Sequence, residues 1–187
     1  MRKDNRFDFS ALNKKKDIIK KVFFFRVCGT GMGAAACLLN EAGYLVSGTD
    51  NDFYPPMSNY LNEQNIDMHN ISDVDQSLLE NFDLIVVGNV VPKGSEHAKL
   101  IESSGVPFTS FPEAMGAFVL NDREVVGISG THGKTTTTYL ALQVFENLGM
   151  SPGYFIGGVL ENRKSSELGS DSLFFIESDE YDTAYFE

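Results

Sequence analysis

A chain of 187 residues has room for one large domain or two small ones. Its 26 acidic residues against 15 basic ones give a net charge of −11, which argues against a nucleic-acid partner while leaving room for a nucleotide held by local N–H groups and single cations. Two cysteines, Cys28 and Cys37, make no disulfide framework. The early apolar run at residues 22–25 is too short and too closely flanked by charge to cross a bilayer, and no signal peptide precedes it. A soluble, cytoplasmic protein without a membrane partner is expected.

Lysines 14–16, 20 and 21 read as a solvated tail or helix face rather than a binding arm. From there short apolar runs alternate with helix-like segments: 22–28 then 34–42, 44–48 then 57–64, 84–88 then 96–103, 106–108 then 113–120, 125–129 then 134–148, and a last strand at 172–177. The apolar runs are continuous rather than alternating, as in strands buried on both faces of a parallel sheet. Strand–helix alternation of this kind predicts a doubly wound α/β architecture. The expected division is an extension at 1–20, a Rossmann-like unit at 21–121 and the beginning of a second unit at 122–187, with Asn121-Asp122-Arg123 as the linker. The second unit has few strand–helix repeats, so a truncated product is expected.

The first strand runs into Cys28-Gly29-Thr30-Gly31-Met32-Gly33, and a helix of small residues follows. Glycines there let a backbone approach a pyrophosphate, and the helix N-terminus offers N–H donors and the positive end of its dipole. Asp50 ends the next strand about 20 residues on, where dinucleotide folds carry a ribose-binding carboxylate. The glycine spacing departs from the dinucleotide fingerprint, so a tight turn with Asp50 as a cap stays open beside a dinucleotide site. Asn89, after the third strand, is a further candidate for ribose, uracil or sugar contact, or a helix cap.

The most informative stretch is Gly130-Thr131-His132-Gly133-Lys134-Thr135-Thr136, between an apolar run and a helix-forming segment. Loop amides, the helix N-terminus and one ammonium form a phosphate cradle, and a hydroxyl on Thr135 meets the needs of a phosphate-bound Mg²⁺. The strict phosphate-loop pattern wants glycine where Ile128 stands, so this is a shorter form. His132 either lines the nucleotide path or is an ordinary turn histidine. Glu177 ends the last strand, and Asp179, Glu180 and Asp182 crowd the same turn, an arrangement that repels itself unless a cation is near.

Both glycine motifs, together with Ser47-Gly48-Thr49-Asp50, resemble the Mur ligases of peptidoglycan synthesis. Tyr54-Pro55-Pro56-Met57-Ser58, Gly88-Asn89, Gly153-Tyr154-Phe155-Ile156-Gly157-Gly158-Val159 and Glu177-Ser178-Asp179-Glu180-Tyr181-Asp182 are similar to its murein peptide ligase branch. That branch joins UDP-N-acetylmuramate to L-alanyl-γ-D-glutamyl-meso-diaminopimelate in cell-wall recycling. The branch that adds L-alanine typically carries Asp-Glu-Ser-Asp in place of Asp179-Glu180-Tyr181-Asp182. The resemblance runs from about residue 21 to the last residue. Two departures stand out: Arg26 where the family usually has glycine, and Phe23 where it usually has histidine. Arg26 could either obstruct the pyrophosphate path or add a cation to it.

The resemblance implies a Rossmann-like UDP-binding domain followed by the start of a phosphate-loop central domain, with ATP and Mg²⁺ as cofactors. ATP would convert the muramate carboxylate to an acyl phosphate, which the peptide amine then attacks. Lys134 would be the catalytic cation, and Gly130, Thr131, His132, Gly133, Thr135 and Thr136 would complete the ATP cradle. Thr135 and Glu177 would hold the metal. Gly29, Thr30, Gly31, Met32, Gly33, Asp50 and Asn89 would bind the UDP-sugar. A piece of this extent is expected to bind a UDP-sugar without ligase turnover. Within the family the alternative is the ligase that adds L-alanine; a dinucleotide-dependent oxidoreductase, read from the first turn alone, and a non-catalytic nucleotide-binding module are the readings from other classes.

Overall fold

The computed structural model describes residues 5–88, 91–92, 94–157 and 163–178. The segment before the first sheet is not a free tail. Helix α1 (Phe9–Lys15) starts where the Asp8 carboxylate accepts from the Ala11 N–H at 2.8 Å, and it ends with Lys14 and Lys15 against the negative end of its dipole. It buries Leu12 fully, while Phe7 is tied to the sheet edge by an N–H donated to the Phe108 carbonyl at 2.8 Å.

The first sheet contains β1 (Lys21–Phe25), β2 (Leu45–Asp50), β3 (Asp67–Asn70), β4 (Leu84–Val87) and β5 (Phe108–Ser110), in spatial order β3-β2-β1-β4-β5 and all parallel. β1 shows why its apolar run is unbroken. Val22 and Phe24 enter a core shared with α2 (Thr30–Glu41) and α6 (Phe111–Met115), while Phe23 and Phe25 enter the opposite core with Leu79, Ile85 and Ile101. Alternate residues point to opposite faces, and helices cover both. The remaining helices of this unit are α3 (Met57–Glu63), α4 (Gln76–Leu79) and α5 (Glu96–Ser104). Order reverses between β1 and β4, so their carboxyl ends flank a crevice of the kind in which open α/β sheets bind ligands.

The helix expected at 113–120 begins earlier and changes character. Pro112 opens α6 beside Ser110, whose N–H donates to the Glu113 carboxylate at 3.2 Å, and the chain widens into a π-helical turn over Gly116–Leu120.

The second sheet contains β6 (Glu124–Ser129), β7 (Gly153–Phe155), β8 (Ser166–Glu167) and β9 (Leu173–Ser178), in order β6-β9-β7-β8, with only β8 antiparallel to its neighbour. Helix α7 (Lys134–Asn147) packs on it through Leu142, Phe145 and the ring of Phe175. One expectation does not hold here: β6 is an edge strand, with Val125 44 % and Val126 41 % exposed rather than buried on both faces. The two units share one apolar core, in which Phe155, Phe174 and Ile176 join Ala34 and Leu38 of α2. Among the described residues no helix is long and apolar enough to cross a membrane.

Candidate functional site

Two glycine turns, each of a kind that can cradle an anion, lie at strand ends, one on each sheet. At the first, β1 ends where the N–H groups of Arg26 and Val27 both donate to the Thr49 carbonyl, at 2.8 and 3.1 Å. Arg26 takes a left-handed conformation (φ 68°), and the chain turns into α2 with Gly29 at the N-cap and no side chain capping it. Thr30, Gly31, Met32 and Gly33 form the first turns of that helix. The glycines differ in purpose. A Cβ on Gly33 would lie 2.9 Å from the Val27 carbonyl oxygen and collide with Met57, so the fold itself demands glycine there. Gly29 has an ordinary φ of −63°, and a Cβ on it or on Gly31 would find no atom nearer than 3.6 Å. Packing does not demand glycine at those two, where a Cβ would make only ordinary contacts with the Arg26 carbonyl oxygen and the Phe155 ring.

Asp50 stands beside this turn as expected, but it is engaged. Its Oδ2 accepts from the Cys28 N–H at 2.9 Å, and its Oδ1 accepts from the Asn51 N–H at 2.8 Å and from Arg26 Nη1 at 3.2 Å. The carboxylate therefore sets the turn. Burial, aided by this carboxylate, pushes the Cys28 thiol up to about 11, so the cysteine is a neutral packing group. Asn89 lies outside the described residues, as do Asp179, Glu180 and Asp182.

At the second cradle, β6 delivers the chain to Gly130 (φ 149°), then through Thr131 and His132, both exposed, to Gly133. Gly133 is the N-cap of α7 with φ 78°, a conformation that glycine reaches without strain. The helical ladder starts with the Thr137 N–H donating to the Gly133 carbonyl at 2.9 Å. The ladder therefore begins one turn into α7, and a helix N-terminus of this kind is a ready site for an anion. Lys134 Nζ donates to the Gly130 carbonyl at 2.7 Å, so the ammonium closes over the loop.

Glu177 adjoins this loop through strand register, since it pairs with Ile128 of β6 two residues before Gly130. It is 6 % exposed; its Oε2 accepts from the Gly157 N–H at 3.0 Å, while its Oε1 is buried with no hydrogen-bond partner among the described residues. A buried carboxylate oxygen left unsatisfied is costly unless a cation or proton meets it. Thr135, in the first turn of α7, and this oxygen suit a hard cation such as Mg²⁺, which takes one or two protein oxygens and completes its shell with phosphate and water. Among the described residues no group of three or more His, Cys, Asp or Glu is placed to hold a metal.

The cradles are linked by β7, a connection that sequence reasoning missed. Phe155 faces Gly31, where a Cβ would lie 3.8 Å from its ring, and two residues on, Gly157 holds Glu177. The glycine-rich motif around Gly153 was visible, but which residue faced which cradle depends on sheet order.

The model of the Mur ligase family, catalytic domain, matches residues 21–123, just over half of the chain. The chain belongs to the Mur ligase family. A curated Mur ligase relative, the UDP-N-acetylmuramate–L-alanyl-γ-D-glutamyl-meso-2,6-diaminoheptandioate ligase of Escherichia coli K12, is 40 % identical over 169 residues, covering 89 % of this chain and 36 % of its own length. The UDP-N-acetylmuramate–L-alanine ligase of Borreliella burgdorferi is 33 % identical over 172 residues, covering 88 % of this chain and 36 % of its own. Among solved structures, the UDP-N-acetylmuramate:L-alanyl-γ-D-glutamyl-meso-diaminopimelate ligase from Neisseria meningitides superposes with a TM-score of 0.79 at 38 % identity, over 88 % of this chain and 54 % of that one. This Mur ligase chain thus spans little more than a third of the curated relatives' length.

Proposed function

We propose that this chain belongs to an ATP-dependent amide ligase that joins UDP-N-acetylmuramate to L-alanyl-γ-D-glutamyl-meso-diaminopimelate, in the recycling of peptidoglycan in the cytoplasm. The acceptor follows the higher identity to the relative named for that peptide, 40 % against 33 % for one named for L-alanine. The single observation that carries the chemistry is the second cradle: a glycine loop, an unladdered helix N-terminus, Lys134 bridging the loop and the orphaned Glu177 oxygen beside it.

Each residue then has a task. Gly130, Thr131, His132, Gly133, Thr135 and Thr136 surround the ATP phosphates with N–H groups, which stabilise charge without reorganisation during transfer. Lys134 leaves the Gly130 carbonyl for the β and γ oxygens and offsets the charge that develops as the muramate carboxylate attacks. The product is an acyl phosphate, from which the peptide amine displaces phosphate. Thr135 and Glu177 hold Mg²⁺, which supplies charge neutralisation at the phosphates. Gly29 through Gly33 take the UDP diphosphate, with Asp50 fixing that turn and Asn89 offered to the uridine or sugar. An oxidoreductase would leave the second cradle without a task, and a passive nucleotide module would not need a buried unsatisfied carboxylate.

Lys134→Ala in the full-length protein tests the assignment. With UDP-N-acetylmuramate, tripeptide and Mg·ATP all saturating, release of ADP should fall to background. Turnover within a few-fold of wild type would remove the loop from the chemistry.

A further inference from the structure

Arg26 occupies a left-handed backbone position (φ 68°), which strains an ordinary L-residue and which glycine takes without strain. Residues held in such positions cluster at active sites and ligand clamps. Its side chain gives little back to the fold. A guanidinium can grip a carboxylate with two parallel N–H groups at 2.7–2.9 Å, roughly, yet Arg26 reaches Asp50 through Nη1 alone, at 3.2 Å. Asp50 does not depend on it, because the N–H groups of Cys28 and Asn51 already satisfy one oxygen each. The guanidinium is therefore detachable. It sits 25 % exposed beside a turn in which packing does not demand glycine at Gly29 or Gly31.

We propose that Arg26 is a specificity-determining cation of the first cradle: when a nucleoside diphosphate binds, its guanidinium leaves Asp50 and pairs with the diphosphate oxygens. This rests on the reading of that turn as the diphosphate cradle. Arginine matches phosphate with a planar fork that lysine lacks, so the gain should depend on shape as well as charge. A chain of net charge −11 also needs a local cation to draw an anion into this crevice.

The test is calorimetric titration of the full-length protein with UDP and, separately, with uridine. Arg26→Gly should lower the affinity for UDP by about tenfold or more, the loss expected for one charge-assisted hydrogen bond, and leave uridine within about twofold. Its thermal midpoint should not fall, because glycine suits the backbone there. Arg26→Gln, which keeps a side chain but no charge, should lose UDP affinity to a similar degree, and Arg26→Lys should recover part of it. Unchanged or tighter UDP binding by Arg26→Gly and Arg26→Gln would overturn the proposal and mark Arg26 as an obstruction or a bystander, leaving the cradle intact. Absence of saturable UDP binding by the wild type would remove the cradle itself and the role of Arg26 with it.

Discussion

Glu177 holds a buried oxygen that no described residue satisfies, and the consequence is testable apart from catalysis. Glu177→Gln keeps an oxygen for the Gly157 N–H while removing the charge, so the thermal midpoint without metal should stay level or rise. The Mg²⁺ concentration for half-maximal ADP release should rise at least about tenfold, the loss that even outer-shell partners of a metal bring. Loss of stability without any change in metal dependence would make Glu177 a packing group. Gly33 gives the contrary pattern. Gly33→Ala drives a methyl into the Val27 carbonyl and Met57, and should destabilise the protein by about 1–3 kcal/mol in chemical denaturation, because backbone cannot yield as a side-chain tip can. A neutral result would mean that α2 shifts freely, which its packing on both units opposes.

At the scale of elements, the strands with continuous apolar runs were legible because burial on both faces leaves no polar alternation, as in β1 and β4. The second glycine turn was legible because Gly130 and Gly133 take positive φ values that few other residues tolerate, and the first because Gly33 has no room for a Cβ. What escaped notice has a physical cause. β3 is a polar edge strand, Asp67–Asn70, with its two ends exposed, and β8 is two residues long, so neither has enough periodicity to read. α1 was hidden by its lysines, although its Asp8 cap was present in the sequence. The commitment of Asp50 to Cys28 and Arg26 is a matter of register and turn geometry that spacing alone does not contain. On α2, burial pushes the Cys37 thiol up to about 12 from 9.0, so the folded state keeps a proton that the unfolded chain releases first. The stability contributed by this thiol is full below pH 9.0 and is lost as pH rises towards about 12. Melting curves across that window should show a falling midpoint, with a shallower fall in Cys37→Ala; equal slopes would contradict the thiol as a cause.

At the scale of the molecule, α2 joins the two cradles. Its N-terminus forms the first, and its flank is held by the second unit: the Ser166 hydroxyl donates to the Ala34 carbonyl at 2.9 Å, and the Leu168 N–H donates to Glu41 at 2.8 Å. The Tyr60 hydroxyl adds a bond to the Ser166 carbonyl at 3.1 Å, and Arg123 reaches across to the Leu168 and Asp171 carbonyls. Removing Glu41 would leave a partly buried N–H without its acceptor, a loss of about 1–3 kcal/mol. In Glu41→Ala, amide hydrogen exchange at residues 166–168 should quicken selectively; uniform exchange would show that these bonds do not hold the units together. In the proposed reaction such a junction would keep a diphosphate on one sheet at a fixed separation from a triphosphate on the other, which is what transfer between two bound substrates needs. The most direct measurement of the proposed reaction is ADP release by the full-length protein with UDP-N-acetylmuramate and Mg·ATP, comparing the murein tripeptide with L-alanine as acceptor. Rapid release that depends on the tripeptide is predicted; release with alanine alone, or none with either acceptor, would contradict it.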